Sequence, residues 1–138
     1  EYNIPIQQIP FIKDGQDFIT QDGKRIPNIE LATESPSPRT YAYCSDTLYN
    51  ESYTEQIRTV NLLYHEATFA SDMIERAKET YHSTAKEAGT IALKANVKQL
   101  IIGHFSARYR ELDPLLTEAK QVFENTVLAI EGETYKIV

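Results

Sequence analysis

Tryptophan is absent from the 138 residues, and methionine and cysteine occur once each. A single cysteine, Cys44, can close no internal disulfide, so nothing points to an oxidising compartment. No apolar run approaches the ~20 residues that a membrane-spanning helix needs, and the amino end shows no signal-peptide pattern. The expected location is therefore the cytoplasm, with no membrane partner. A basic excess is missing too: 14 Lys and Arg stand against 20 Asp and Glu, a formal net charge of −6. A nucleic-acid binder normally carries a basic footprint. If RNA is the substrate, the grip on its phosphates has to come from divalent metals or from another segment. Hydrophobic residues make up 41% and charged residues 25%, an ordinary soluble balance. The length suits one compact domain or half of a larger one. A start at Glu1-Tyr2-Asn3-Ile4, without methionine, suggests a cut or truncated chain.

The prolines are unevenly spread, with all but Pro114 before residue 40. In that opening stretch Asp22-Gly23-Lys24 lies between Phe18-Ile19-Thr20 and Arg25-Ile26, the pattern of a small hairpin. Ser35-Pro36-Ser37-Pro38 reads as a stiff polar connection. Residues 1–40 are accordingly expected to form an edge hairpin and linker, and 41–138 the main domain. From Tyr41 onward apolar runs alternate with helical periodicity. Strands are expected at Tyr41–Cys44, Val60–Tyr64 and Lys98–Ile102, and a final pair at Thr126–Ile130 and Thr134–Val138 around the turn Glu131-Gly132-Glu133. Ser71 or Asp72 is expected to cap a helix running to about Thr80. Thr84 and Glu87 match a capping box, followed by Ala88, Ile91, Ala92 and Ala95 on one apolar face. Asp113-Pro114 reads as a cap with proline at the first helical position, and Leu115, Ala119, Val122 and Phe123 line the buried side. Repeated strand–helix units imply an α/β fold with a parallel sheet and helices packed on it.

Three apolar runs end abruptly in polar, potentially reactive residues: Tyr41–Cys44 in Ser45-Asp46-Thr47, Asn61–Tyr64 in His65-Glu66, and Leu100–Ile102 in Gly103-His104. In open α/β sheets chemistry gathers at the carboxyl ends of strands, so Asp46, Glu66 and His104 are expected on one rim. Carboxylate and imidazole are usual zinc ligands, although an Asp after a strand is also a common turn former. His82-Ser83-Thr84 directly precedes the capped helix, whose amino end suits a phosphate. Glu66 can orient His82 and hold it protonated as a general acid; a simple cap with a solvated histidine is the plainer alternative. His65 and Glu66 alternate on a strand, so they point to opposite faces, and His65 is expected to be packed. The nine tyrosines and Cys44 are expected to be packing residues.

The ordered motifs Ser45-Asp46-Thr47, His65-Glu66-Ala67-Thr68-Phe69, Tyr81-His82-Ser83-Thr84 and Gly103-His104-Phe105-Ser106-Ala107-Arg108-Tyr109 resemble the ribonuclease Z family of the metallo-β-lactamase superfamily. The resemblance covers nearly the whole chain. It implies half of an αββα sandwich, in which Asp46 bridges two zinc ions and His104 is the last ligand of one of them. It further implies that Glu66 and His82 relay a proton to the leaving 3′ oxygen, in an endonuclease that removes 3′ trailers from tRNA precursors by two-metal hydrolysis. Ser83, Thr84, Ser106 and Arg108 are the candidate phosphate contacts.

The family's His-x-His-x-Asp-His motif has no counterpart here, which marks this chain as resembling the carboxyl-terminal half. At most the returning end of the family's tRNA-gripping arm is expected near the first residues. Two ligands make no tight tetrahedral zinc site, so the chain alone is expected to bind zinc poorly and to be inactive. An uncovered sheet face and edge predict a missing amino-terminal half as partner, and self-association, for instance as a homodimer, without it. Two other functions fit the same residues: part of another metallo-β-lactamase-fold phosphodiesterase, or a non-catalytic half-domain used for assembly.

Overall fold

The computed structural model describes residues 2–33 and 36–138. Ser35, the first residue of the expected polar connection, lies outside them. The chain divides into two compact units, Glu1–Pro38 and Arg39–Val138.

The first unit holds a 3₁₀ turn at Ile6–Gln8, helix α1 (Ile9–Lys13), strands β1 (Phe18–Ile19) and β2 (Arg25–Ile26), and helix α2 (Asn28–Leu31). The hairpin forms where Asp22-Gly23 signals it, with Gly23 at φ 84°. Its two strands pair antiparallel, Phe18 opposite Ile26 and Ile19 opposite Arg25. Ile12, Phe18 and Ile26 form a small core of its own. Asn28 ties it together by donating its side-chain amide to the carbonyls of Ile12 and Gln16 at 2.6 and 2.9 Å.

The second unit is built on a four-stranded sheet, ordered β3 (Tyr41–Cys44), β4 (Leu62–Glu66), β5 (Gln99–Gly103), β6 (Thr126–Leu128), with every pairing parallel. Between β4 and β5 the chain forms α3 (Ile74–Glu79) and α4 (Ala85–Lys94); α5 (Asp113–Val122) links β5 to β6. The capping box of α4 is present in full. Thr84 Oγ1 accepts from the Glu87 amide at 3.2 Å, and the Glu87 carboxylate accepts from the Thr84 amide at 2.8 Å. Ala88, Ile91 and Ala92 of α4 and Leu115 and Ala119 of α5 are completely buried with Leu63, Leu100 and Ile102 of the sheet. Gly89 lets the two helices close: a Cβ there would stand 2.8 Å from the Ala119 carbonyl oxygen.

Strand alternation gives the sheet two faces. Ala42, Cys44, Leu63, His65, Leu100 and Ile102 lie on the helix side. Tyr41, Tyr43, Leu62, Tyr64 and Ile101 line a cleft of about 430 Å³ on the other side, touched by Tyr135 and Ile137 of the tail.

Several expected boundaries move. β4 and β5 start and end later than their apolar runs, because pairing continues to Glu66 opposite Gly103. Neither Ser71 nor Asp72 caps α3. A 3₁₀ turn at Ser71–Met73 precedes it, and the Ser71 amide and hydroxyl both donate to Glu118 at 2.8 Å. Leu112 is the N-cap of α5, and Asp113 is its first residue. Val122 and Phe123 are half-buried. Thr134–Val138 forms no strand. The Tyr135 hydroxyl anchors that tail instead, donating to the Leu128 carbonyl at 2.7 Å and accepting from the Ile130 amide at 2.9 Å. Among the described residues no helix is long and apolar enough to cross a membrane.

Candidate metal and acid–base site

Parallel pairing places the carboxyl ends of β3, β4 and β5 at one edge, with Cys44 beside His65 and His65 beside Ile102. Asp46 follows β3 by two residues, Glu66 ends β4, and His104 follows β5. His82 arrives differently. After α3, Tyr81 takes a left-handed conformation (φ 59°), the Tyr81 amide donates to the Lys78 carbonyl, and the His82 amide donates to the Ala77 carbonyl at 2.8 Å. This is the Schellman closure of a helix, with a tyrosine where glycine is usual. A parallel bridge between Phe69 and Thr84 then holds the His82-Ser83-Thr84 segment beside the end of β4. Asp46 (φ 49°) and His104 (φ 60°) are left-handed as well, a conformation that disfavours residues carrying a Cβ.

The four expected residues meet. His104 Nε2 lies 3.4 Å from Asp46 Oδ1. His82 Nδ1 lies 3.1 Å from Glu66 Oε1, and the His82 and His104 ring centres are 5.2 Å apart. One ligand atom from each of Asp46, His82 and His104 falls within 4.8 Å of the others. His82 therefore stands with the two expected ligands.

Glu66 is completely buried, yet fully satisfied. It accepts from the Thr47 amide at 2.6 Å, the Thr68 hydroxyl at 2.7 Å and the Ser83 amide at 3.0 Å, besides His82. Burial pushes its carboxyl upward, but hydrogen bonds from Ser83, Thr68, His82 and Thr47 outweigh this and hold it below the ordinary carboxylate range. His65 is buried on the opposite face, as alternation requires. Its Nδ1–H donates to the Glu66 carbonyl at 2.7 Å, so Nε2 accepts from the Tyr53 hydroxyl, also at 2.7 Å. Burial pushes this imidazole below its usual value, and it takes no part in the site.

Two of the expected phosphate contacts have their polar atoms engaged within the fold. Ser83 and Thr84 are buried; Ser83 donates its hydroxyl to the Thr47 carbonyl at 2.7 Å, and Thr84 caps α4. Neither presents a free donor to a phosphate. Ser106 is half-buried and Arg108 exposed. The Arg108 guanidinium lies over the Phe69 ring, 5.1 Å from its centre, with Nε 3.1 Å from Ser106 Oγ. Residue-by-residue reading missed Thr47 and Thr68 as partners of Glu66. For Thr68 the signal was available, because residues i and i+2 of an extended segment lie on one side.

Ribonuclease Z of Phocaeicola vulgatus is 54% identical over 136 residues, covering 99% of this chain and 43% of that protein. The chain is homologous to part of ribonuclease Z. It spans about two fifths of the length of the curated ribonuclease Z relatives it matches. No family model matches it. Among solved structures, the metallo-β-lactamase fold protein YhfI from Bacillus subtilis aligns with TM-score 0.66 and 29% identity, over 71% of this chain and 40% of that one. Human tRNase Z, short form, aligns with TM-score 0.52 and 28% identity, over 69% of this chain and 31% of that one. The expected resemblance to ribonuclease Z and to the metallo-β-lactamase fold holds; the sheet described above, helix-covered on one side, is a part of that fold.

Proposed function

We propose that this chain is the carboxyl-terminal part of a zinc-dependent endoribonuclease that removes 3′ trailers from tRNA precursors in the cytoplasm. The observation that carries the reading is the meeting of Asp46, Glu66, His82 and His104 at one sheet edge, in a chain half identical to ribonuclease Z relatives. The donor types suit zinc, since carboxylate oxygen and imidazole nitrogen are among its ordinary ligands. Asp46 and His104 would hold it, with His82 close by, so the fit is to part of a coordination sphere. When bound, zinc supplies Lewis-acid stabilisation of the phosphate.

The chain's own residues do the rest on this reading. Glu66 fixes the His82 ring through Nδ1, which leaves Nε2 as the proton donor to the leaving 3′ oxygen. Arg108 and Ser106 hold a flanking phosphate at the exposed margin. The tyrosine-lined sheet face receives the amino-terminal half of the complete protein, and in its absence copies of this chain associate through that face.

The chain alone is inactive on this reading, because Asp46 and His104 supply two ligands and a catalytic zinc usually keeps three from the protein. Elemental analysis for zinc, paired with a tRNA-precursor cleavage assay, tests this. One tightly held zinc per chain with robust cleavage refutes it. In the complete protein, Glu66→Gln and His82→Ala are expected to lower kcat about 10²–10⁴-fold, the usual worth of a general acid. A full-rate enzyme after either change would remove the proposed relay.

A further inference from the structure

We infer that Thr68 is a positioning residue that fixes the tautomer of His104 and thereby aims the Nε2 lone pair at the cluster formed with Asp46 and His82. The inference rests on the reading of His104 as a metal ligand given above, but its argument uses only this chain's hydrogen bonds.

Thr68 Oγ1 has three close polar neighbours: Glu66 Oε2 at 2.7 Å, the His104 carbonyl oxygen at 2.9 Å and His104 Nδ1 at 3.0 Å. A hydroxyl carries one proton and two lone pairs. The Glu66 carboxylate and the His104 carbonyl can only accept. If the hydroxyl proton goes to either of them, Oγ1 turns a lone pair towards His104 Nδ1, and Nδ1 has to be the donor. Only a proton directed at Nδ1 itself gives the other tautomer. That arrangement would leave Oγ1 in lone-pair contact with both oxygens, one of them a buried carboxylate. The shortest contact is to Glu66, where the bond is charge-assisted. Asp46 Oδ1, 3.4 Å from Nε2, pulls the proton the other way, but it is exposed to water and beyond ordinary hydrogen-bond length. The shorter buried contacts prevail, and the neutral ring is protonated at Nδ1 and bare at Nε2.

Thr68 is well placed for this duty. It is 6% exposed, and its carbonyl accepts from the Ser106 amide at 3.1 Å, which ties it to the loop that carries His104. The same hydroxyl joins two parts of the site, since Glu66 also holds His82. His82, Glu66, Thr68 and His104 form one continuous hydrogen-bonded chain. Partners that orient a metal-bound histidine commonly account for 10- to 100-fold in metal affinity.

The test is the tautomeric state of His104, read from its ring nitrogen resonances in the metal-free chain at a pH where the ring is neutral. The proton is expected on Nδ1 in the parent chain and in Thr68→Ser. In Thr68→Val, which keeps the shape and loses the hydroxyl, the population is expected to move towards the Nε2-protonated form. Proton residence on Nε2 in the parent overturns the inference, whatever the variants do. So does an unchanged tautomer in a folded Thr68→Val. Titrating Zn²⁺ into the same samples separates this from the metal reading. The Nε2 resonance of the parent is expected to respond, and the affinity to fall about 10- to 100-fold in Thr68→Val but not in Thr68→Ser. A parent His104 protonated on Nδ1 that ignores Zn²⁺ refutes the metal reading and leaves the Thr68 assignment standing.

Discussion

The two faces of the β3–β4–β5–β6 sheet come from the same strands by the same alternation, yet they are finished differently. The side under α4 and α5 is aliphatic and closed, with Leu63, Leu100 and Ile102 at zero exposure. The other side is aromatic and open. Tyr43 is 63% exposed and stacks on Tyr64 with ring centres 4.6 Å apart, and the tail leans across it through Tyr135 and Ile137. A parallel sheet is almost always covered on both sides. The contrast separates the face that this chain covers with its own helices from the face to which the reading proposed above assigns the rest of the protein.

The comparison can be broken from the closed side first. Leu100→Ala removes a fully buried side chain between sheet and helices and is expected to cost about 2–5 kcal/mol in denaturant unfolding. Tyr43→Ser on the open side is expected to leave stability within about 1 kcal/mol and to reduce any concentration-dependent association seen by sedimentation. Equal losses from the two changes would mean that the open face is already covered. A smaller effect is expected where the faces meet the site. A Cβ on Gly103 would overlap the Tyr64 hydroxyl and come within 2.8 Å of its ring carbons. Gly103→Ala is therefore expected to cost about 1–3 kcal/mol by overpacking, and much less in a Tyr64→Ala background.

The pH dependence sharpens the same contrast. His65, on the closed side, is held neutral by burial, so its folded pKa lies below the unfolded value of about 6.5. As pH falls through 6.5 the unfolded chain gains a proton that the folded chain refuses, and stability falls by up to about 1.4 kcal/mol per pH unit. Glu66 is also depressed, so its contribution is present above about 4.3 and is lost only at lower pH. Two windows are expected in urea melts, and His65→Gln should erase the upper one alone. A modest loss is expected of Thr84→Ala, which opens the capping box of α4 at a cost of about 1 kcal/mol in the same melts.

What could be read in the sequence follows from how local each signal is. The capping box Thr84–Glu87 and the periodicity of Ala88, Ile91 and Ala92 are local, and both appear as expected. The meeting of Asp46, Glu66 and His104 was legible because parallel strands bring their carboxyl ends together whatever the loops between them do. Signals that depend on distant partners were not legible. Ser71 looks like a cap, but Glu118, 47 residues away, accepts both its donors. Ser83 and Thr84 read as free polar residues before a helix, but Ser83 donates to the Thr47 carbonyl, 36 residues away, and both are buried. The Thr134–Val138 tail alternates like a strand, but the Tyr135 hydroxyl holds it by a side chain instead. Thr68 is legible only as part of a motif, because its contact with His104 lies 36 positions later.

The left-handed backbone at Asp46, Tyr81 and His104 has a consequence for how this chain tolerates change. Each non-glycine residue there carries a torsional penalty of about 1–2 kcal/mol that a glycine would relieve. Unbiased selection for heat resistance should thus favour glycine at these junctions, and at two of them the substitution deletes a residue assigned to zinc. Hardiness and chemistry are opposed at those positions, and a thermostable descendant of this chain would be expected to lose its proposed zinc ligands before it lost its shape.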